Sequence, residues 1–177
     1  MGWSLDYKSP QNIELLDQFF LTAGKSLYLA SSFESKCQWI LFIMKITEHF
    51  ERTRDTTASI NLTKTLKNKL LGPTLNELKE FPDFTYDDIA KLERAKNARN
   101  FIVHESTNIG PLSSTPTVVI REKLNQLRNE LNALIPGDNL VSSWIYEITE
   151  KEPSPSGIKA EYPTMISEWI FGTDENI

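Results

Sequence analysis

The sequence predicts an all-α fold, an antiparallel bundle of about four main helices with shorter helices attached. Apolar residues recur at helical spacing along most of the 177 residues, and few segments alternate apolar and polar residues as strands do. Only seven glycines interrupt this pattern, which also favours helix. The hydrophobic fraction of 40% is ordinary for a globular protein, so we expect a chain of this length to bury a core of its own.

The first helical region extends from Ser9-Pro10, a typical helix start, to about Arg54. Gly24 predicts a break that divides it into a short helix and a long one. The stretch from Trp39 to Ile46 is apolar on nearly all sides, which predicts burial or an oligomer interface. The Thr-rich stretch 53–63 predicts a loop.

The next segments are short. Residues 62–71 are basic, and Gly72-Pro73 interrupts them. Thr74 and Glu77 have the spacing of a capping box and predict a short helix to about Glu80.

The pair Thr85 and Asp88 also has capping-box spacing and predicts a helix from Tyr86 to about Glu105, followed by a loop over 107–115. Pro136-Gly137 predicts a helix stop. Three further helices are expected, the last packing through Trp169: 117–134, 139–151 and about 162–171. We expect residues 1–137 to form the bundle and 138–177 to be a helical extension of the same domain.

Charge and cysteine content exclude several classes. A net charge of -5 argues against non-specific coating of nucleic acid, so nucleic-acid contact would need a local patch. The single cysteine, Cys37, cannot form an internal disulfide and lies in the apolar pattern of a core. No Cys/His cluster has zinc-ligand spacing, so we expect neither metal nor cofactor. The start of the chain lacks a signal-peptide pattern and no apolar run could span a membrane, which predicts a cytoplasmic protein.

One arginine occupies a position where a leucine would be expected. On the helix predicted from Tyr86, Arg99 falls within the apolar stripe of Leu92, Ala95 and Ile102. A buried guanidinium without a partner is costly, so Arg99 needs a carboxylate, a water-filled cleft or an anionic ligand.

Two interpretations of this arginine remain open. In one, Arg99 forms a structural ion pair with Glu34, which is itself unusually placed in an apolar helix face, and His104 only complements the helix dipole. In the other, Arg99 and His104 together meet an anion, which the guanidinium neutralises while the imidazole moves protons.

The stretch ERAKNARNFIVHE resembles the signature of the HEPN domain, in which an arginine and a polar residue, often Asn, are followed three residues later by histidine. These positions are Arg99, Asn100 and His104. Residues 23–43 resemble the early helix of the family, with Glu34 at its acidic position. Residues 71–81 resemble the connector before the motif helix, and the likeness covers roughly residues 10–135.

The resemblance implies a homodimer that forms through the motif helix and lines a composite cleft with two copies of the motif. Many such domains are metal-independent RNA endonucleases that act as toxins or in antiviral defence, with an antitoxin or regulatory protein as a further partner. Another subset is non-catalytic and binds nucleotides or proteins. Some members carry a tyrosine, modified by a partner nucleotidyltransferase, where this chain has Ser106, so that mechanism has no support here.

The implied chemistry suits the three motif residues. His104 would transfer protons, Arg99 would hold two phosphate oxygens and Asn100 would bind phosphate or position the histidine. The expected product carries a 2′,3′-cyclic phosphate. Basic residues around the motif either guide RNA to the cleft or form solvated helix faces: Lys64, Lys67, Lys69, Lys91, Arg94 and Lys96.

Overall fold

The structure, a computed structural model, describes residues 12–54, 70–80 and 84–172. This part of the chain is helical and contains no strand, which confirms the all-α prediction. Its five helices are α1 (Ile13–Thr53), α2 (Leu71–Leu78), α3 (Tyr86–His104), α4 (Thr117–Glu150) and α5 (Ser156–Phe171).

Helix α4 is the central element, and α3 runs against it in the opposite direction. Near the start of α4, the ammonium of Lys123 lies 5.3 Å from the ring centre of Phe101, at the end of α3. Near the end of α4, the ring of Trp144 packs on Phe84, just before α3 begins. The two contacts lie at opposite ends of both helices, which defines an antiparallel pair.

The other two long elements complete the bundle. Helix α1 is parallel to α4, because Gln18 shares a cleft with Arg121 while Lys36, further along, contacts Asp138. Helix α5 returns along α4 in the opposite direction. Consecutive long helices therefore alternate in direction, as an antiparallel bundle requires.

The core lies between α1, α3 and α4, with α2 covering the second half of α1. In the apolar stretch of α1, Ile40 and Leu41 are buried, but Trp39 is 37% exposed, so this turn is not enclosed on all sides within one chain. The largest fully buried side chains are Phe19, Phe33, Ile40, Leu41, Leu75, Leu78, Leu92, Ile102, Ile120, Leu127, Leu131 and Leu134.

The predicted break at Gly24 is wrong, because α1 continues through it for 41 residues, about 60 Å. A glycine inside a helix destabilises it by only about 0.5–1 kcal/mol. Burial of Phe19, Ala23 and Leu29 on the same helix outweighs that penalty.

The predicted stop at Pro136-Gly137 is also wrong, since α4 is continuous across both residues. Pro136 and Asn132, whose carbonyl loses its helical partner at the proline, both lie on the exposed side of α4, where water can hydrate that carbonyl. Gly137 is buried instead, and a Cβ added there would lie 2.4 Å from the Cβ of Ala95. It is therefore a close-packing position between helices, and α4 also crosses the boundary predicted between residues 137 and 138.

Helix α5 begins six residues before its predicted start at Tyr162, although Pro163 then falls inside it. The proline removes the N–H that would bind the carbonyl of Lys159. The side-chain amide of Asn139 on α4 donates to that carbonyl at 2.8 Å instead. The predicted packing through Trp169 is only partial, because Trp169 is 43% exposed and Ile170 is the buried residue.

One capping-box prediction is confirmed and one is wrong. Thr85 and Asp88 form a reciprocal box at the start of α3. Helix α2, however, begins at Leu71 and includes Gly72-Pro73 in its first turn, where a missing N–H is harmless. Thr74 donates its hydroxyl to the Leu70 carbonyl at 3.0 Å instead of capping.

The loop predicted over 53–63 and the basic segment of 62–71 lie mostly outside the described residues. Among the helices in the described ranges, none is both long and apolar enough to cross a lipid bilayer.

Replacing Gly137 with Ala should lower the free energy of unfolding by about 1–3 kcal/mol, because the added methyl group collides with Ala95 across the helix crossing. Gly24→Ala is the matched control. Its Cβ meets nothing within 4 Å, so it should stabilise the protein by about 0.5–1 kcal/mol. Urea denaturation followed by circular dichroism measures both, and equal stability of the two variants would contradict the close packing.

Candidate functional site on helix α3

The site begins with the capping box that sets the start of α3. The Thr85 hydroxyl accepts from the Asp88 N–H at 3.1 Å, and the Asp88 carboxylate accepts from the Thr85 N–H at 3.2 Å. From this start, Leu92, Ala95, Ala98 and Ile102 face the core. The sequence motif therefore lies in the last turns of α3, with Arg99 beside the core.

Arg99 forms an ion pair across the bundle. Its Nη2 donates to the Glu34 carboxylate on α1, and both side chains are only 17% exposed. Its Nη1 donates to the Asn100 side-chain oxygen at 3.1 Å. The structure thus brings together three of the four predicted site residues, including the ion pair left open by the sequence.

The guanidinium is not fully occupied by these contacts. Its Nε–H is buried and has no hydrogen-bond partner among the described residues. The charges of Arg99 and Glu34 offset each other, so an anion that approaches Arg99 must share it with the carboxylate or displace it.

The fourth residue, His104, ends α3 and is exposed. Its ring makes no hydrogen bond within the described parts of the chain. Because it follows Arg99 by five residues, its side chain points about 140° away around the helix axis and about 7.5 Å further along it. Asn100 is one turn before His104 and lies on nearly the same face. One chain therefore presents Asn100 and His104 to solvent, with Arg99 turned towards α1.

Ser106 occupies the position at which some similar sequences carry tyrosine. It is 3% exposed, and its hydroxyl donates to the carbonyl of Ile102. This side chain helps to close the end of α3 and does not reach solvent.

Two of the basic residues predicted near the motif are engaged in ion pairs. Lys91 lies 2.6 Å from the carboxylate of Asp87, one turn earlier on α3. Lys96 pairs with Glu93, which also binds Lys79 of α2, and these ammonium groups hold the pKa of the Glu93 carboxyl below its usual range. Such contacts favour solvated helix faces over an RNA path.

The other predicted cations differ in position. Arg94 is exposed on α3. The remaining three lie outside the described residues: Lys64, Lys67 and Lys69.

A second polar cluster was not predicted from the sequence. Asp138 on α4 is fully buried, and both of its oxygens lie 2.9 Å from the ammonium of Lys36 on α1. The Tyr162 hydroxyl of α5 also donates to Asp138, while Ser142 accepts from Lys36 at 2.9 Å. Burial and the Asp138 charge raise the pKa of Tyr162. The cluster ties three helices together and leaves no open position for a substrate.

Within the described ranges, no group of three His, Cys, Asp or Glu side chains is arranged to hold a metal ion. No family model, curated protein or solved structure matches this chain.

Glu34 and Arg99 should show strong mutual coupling. Arg99→Ala should lower the free energy of unfolding by about 1–3 kcal/mol, because it leaves the Glu34 carboxylate part-buried and unpaired. The double variant with Glu34→Ala should regain part of that loss in a double-mutant cycle.

Lys91→Ala is the matched control, since its partner Asp87 is 69% exposed and the change should cost at most about 0.5 kcal/mol. Additive effects of the Glu34 and Arg99 substitutions, without coupling, would contradict the ion pair.

Cys37 should resist thiol reagents in the folded protein. Its side chain is fully buried, and burial together with the nearby Asp138 and Glu34 charges raises the pKa of the thiol, which suppresses the reactive thiolate. Ellman's reagent should react with one thiol per chain in guanidinium and slowly, at the rate of opening, in native buffer. Rapid labelling of the native protein would show that the α1–α4 packing is open.

Proposed function

We propose that this protein is a metal-independent endoribonuclease of the HEPN type that acts as a homodimer. The proposal depends chiefly on the exposed imidazole of His104, which no other described side chain engages. Asn100 stands beside it, and Glu34 holds Arg99 in place one turn earlier. The motif resemblance given by Arg99, Asn100 and His104 supports the same chemistry.

In the proposed reaction, the 2′-oxygen of a ribose attacks the adjacent phosphorus and the bond from phosphorus to the 5′-oxygen breaks. A neutral His104 accepts the proton of the 2′-hydroxyl, and a second, protonated imidazole donates a proton to the leaving 5′-oxygen. Arg99 and Asn100 stabilise the negative charge that develops on the phosphoryl oxygens. The products are a 2′,3′-cyclic phosphate and a 5′-hydroxyl, and no metal takes part.

The requirement for two proton carriers leads to the dimer. One chain supplies a single histidine at this surface, so the second imidazole comes from His104 of another copy. The outward face of α3 suits such pairing, because it is uncovered along its whole length. Tyr86, at its start, is 95% exposed, and Ala90 and Asn97 follow on the same side.

In a cell, RNA cleavage by such a dimer would arrest growth, which fits a toxin or an effector of antiviral defence. A protein antitoxin or regulator would then cover the α3 face. The substrate would be cytoplasmic RNA.

The ion pair itself favours a second candidate, a non-catalytic module that binds nucleotides or proteins. If Glu34 keeps Arg99 permanently engaged, the guanidinium is structural and His104 has no task in catalysis. The two candidates differ in the effect of His104→Ala, which should be harmless for a binding module.

Purified protein should cleave end-labelled single-stranded RNA in the presence of EDTA and leave 2′,3′-cyclic phosphate ends. His104→Ala should lower the rate about 100-fold or more without changing the melting temperature, because an exposed side chain is removed. The control Gln126→Ala removes an exposed polar side chain of α4 and should cleave as the wild type does. Intact RNA with every substrate, or cleavage that persists in His104→Ala, would sink the proposal.

A further inference from the structure

A cleft lined by two arginines lies between α1, α4 and α5, on the side of α4 away from α3. Its volume is about 150 Å³. Arg121, Asn125 and Arg128 recur along one face of α4 at helical spacing, and Gln18 and Thr22 face them from α1. These side chains provide hydrogen-bond donors from two helices and no carboxylate.

The two guanidinium groups are not neutralised. Neither Arg121 nor Arg128 forms an ion pair within the residues that the structure describes. Arg128 lies over the ring of Phe171 at the end of α5, 4.8 Å from its centre. By contrast, the cations Lys36, Lys91 and Arg99 all pair with a carboxylate. In a chain with a net charge of -5, two adjacent unpaired arginines in a concave site indicate an anionic ligand.

The cleft continues into a wider groove between α4 and α5. This groove has a volume of about 580 Å³, within the range of small-molecule sites, and shares Arg128 and Phe171 with the cleft. Its wall combines an aromatic ring with the amide of Asn132, the hydroxyl of Ser167 and the carboxylate of Glu168. An aromatic face and mixed polar groups suit a base and a sugar, whereas Glu168 repels phosphate.

We propose that this composite site binds a nucleotide. Arg121 and Arg128 hold its phosphates in the cleft, and the nucleoside lies in the groove against Phe171, with Glu168 accepting hydrogen bonds from hydroxyl or amino groups. The site is on a different face of the bundle from Asn100 and His104, and the proposal does not depend on RNA cleavage.

Isothermal titration calorimetry with ATP, AMP, adenosine and pyrophosphate tests the site directly. ATP should bind saturably and more tightly than AMP, and adenosine should bind weakest because it lacks phosphate. Affinity for ATP should fall on raising the salt concentration, since the contacts are ionic. An absence of saturable ATP binding, or pyrophosphate binding as tightly as ATP, would overturn the nucleotide assignment.

Variants then locate the ligand. Arg121→Gln should weaken ATP binding about tenfold or more, because a charge-assisted contact is lost. Phe171→Leu should weaken ATP but leave pyrophosphate unchanged. Arg52→Gln, an exposed arginine in the last turn of α1, is the matched control and should bind as the wild type does. If Arg121→Gln binds ATP normally, the ligand lies elsewhere and the proposal is wrong.

Discussion

The contact between Gly137 and Ala95 sets the spacing of the long helices. With no side chain at Gly137, α4 approaches α3 closely, and the ring of Phe33 on α1 fills the third side of the crossing. Arg99 follows Ala95 by one turn, and Glu34 follows Phe33 directly. The ion pair of Arg99 and Glu34 is therefore positioned by an apolar contact. A wider crossing would move α3 relative to both neighbouring helices and disturb that pair.

This arrangement divides the motif between two environments. Arg99 turns inward and is held by Glu34, whereas Asn100 and His104 face solvent at the end of α3. The inner half makes the helix end rigid, and the outer half is available to a ligand. One chain supplies a single imidazole and an arginine whose charge is already offset. The proposed RNA cleavage consequently needs the imidazole of a second copy and a phosphate that competes with Glu34 for the guanidinium.

Patterns within one helix were predictable from the sequence, and contacts between helices mostly were not. The partnership of Arg99 with Glu34 could be predicted because each interrupts an apolar stripe, so each needs a partner. The path of α5 through Pro163 could not, because Asn139 of another helix binds the carbonyl that the proline leaves free. Asp138 was missed for a similar reason: after a Pro-Gly pair it resembles a turn residue, yet it is fully buried by contacts from α1 and α5. The chemistry of His104 depends on what meets the exposed face of α3, which the fold of one chain does not determine.

The dependence of RNA cleavage on protein concentration tests the composite site most directly. Labelled RNA is cleaved at a series of enzyme concentrations, and sedimentation at the same concentrations measures the fraction of dimer. The account predicts that the rate per chain falls in proportion to the dimer fraction, because each monomer carries one proton carrier. A rate per chain that stays constant down to concentrations at which only monomers remain would contradict it.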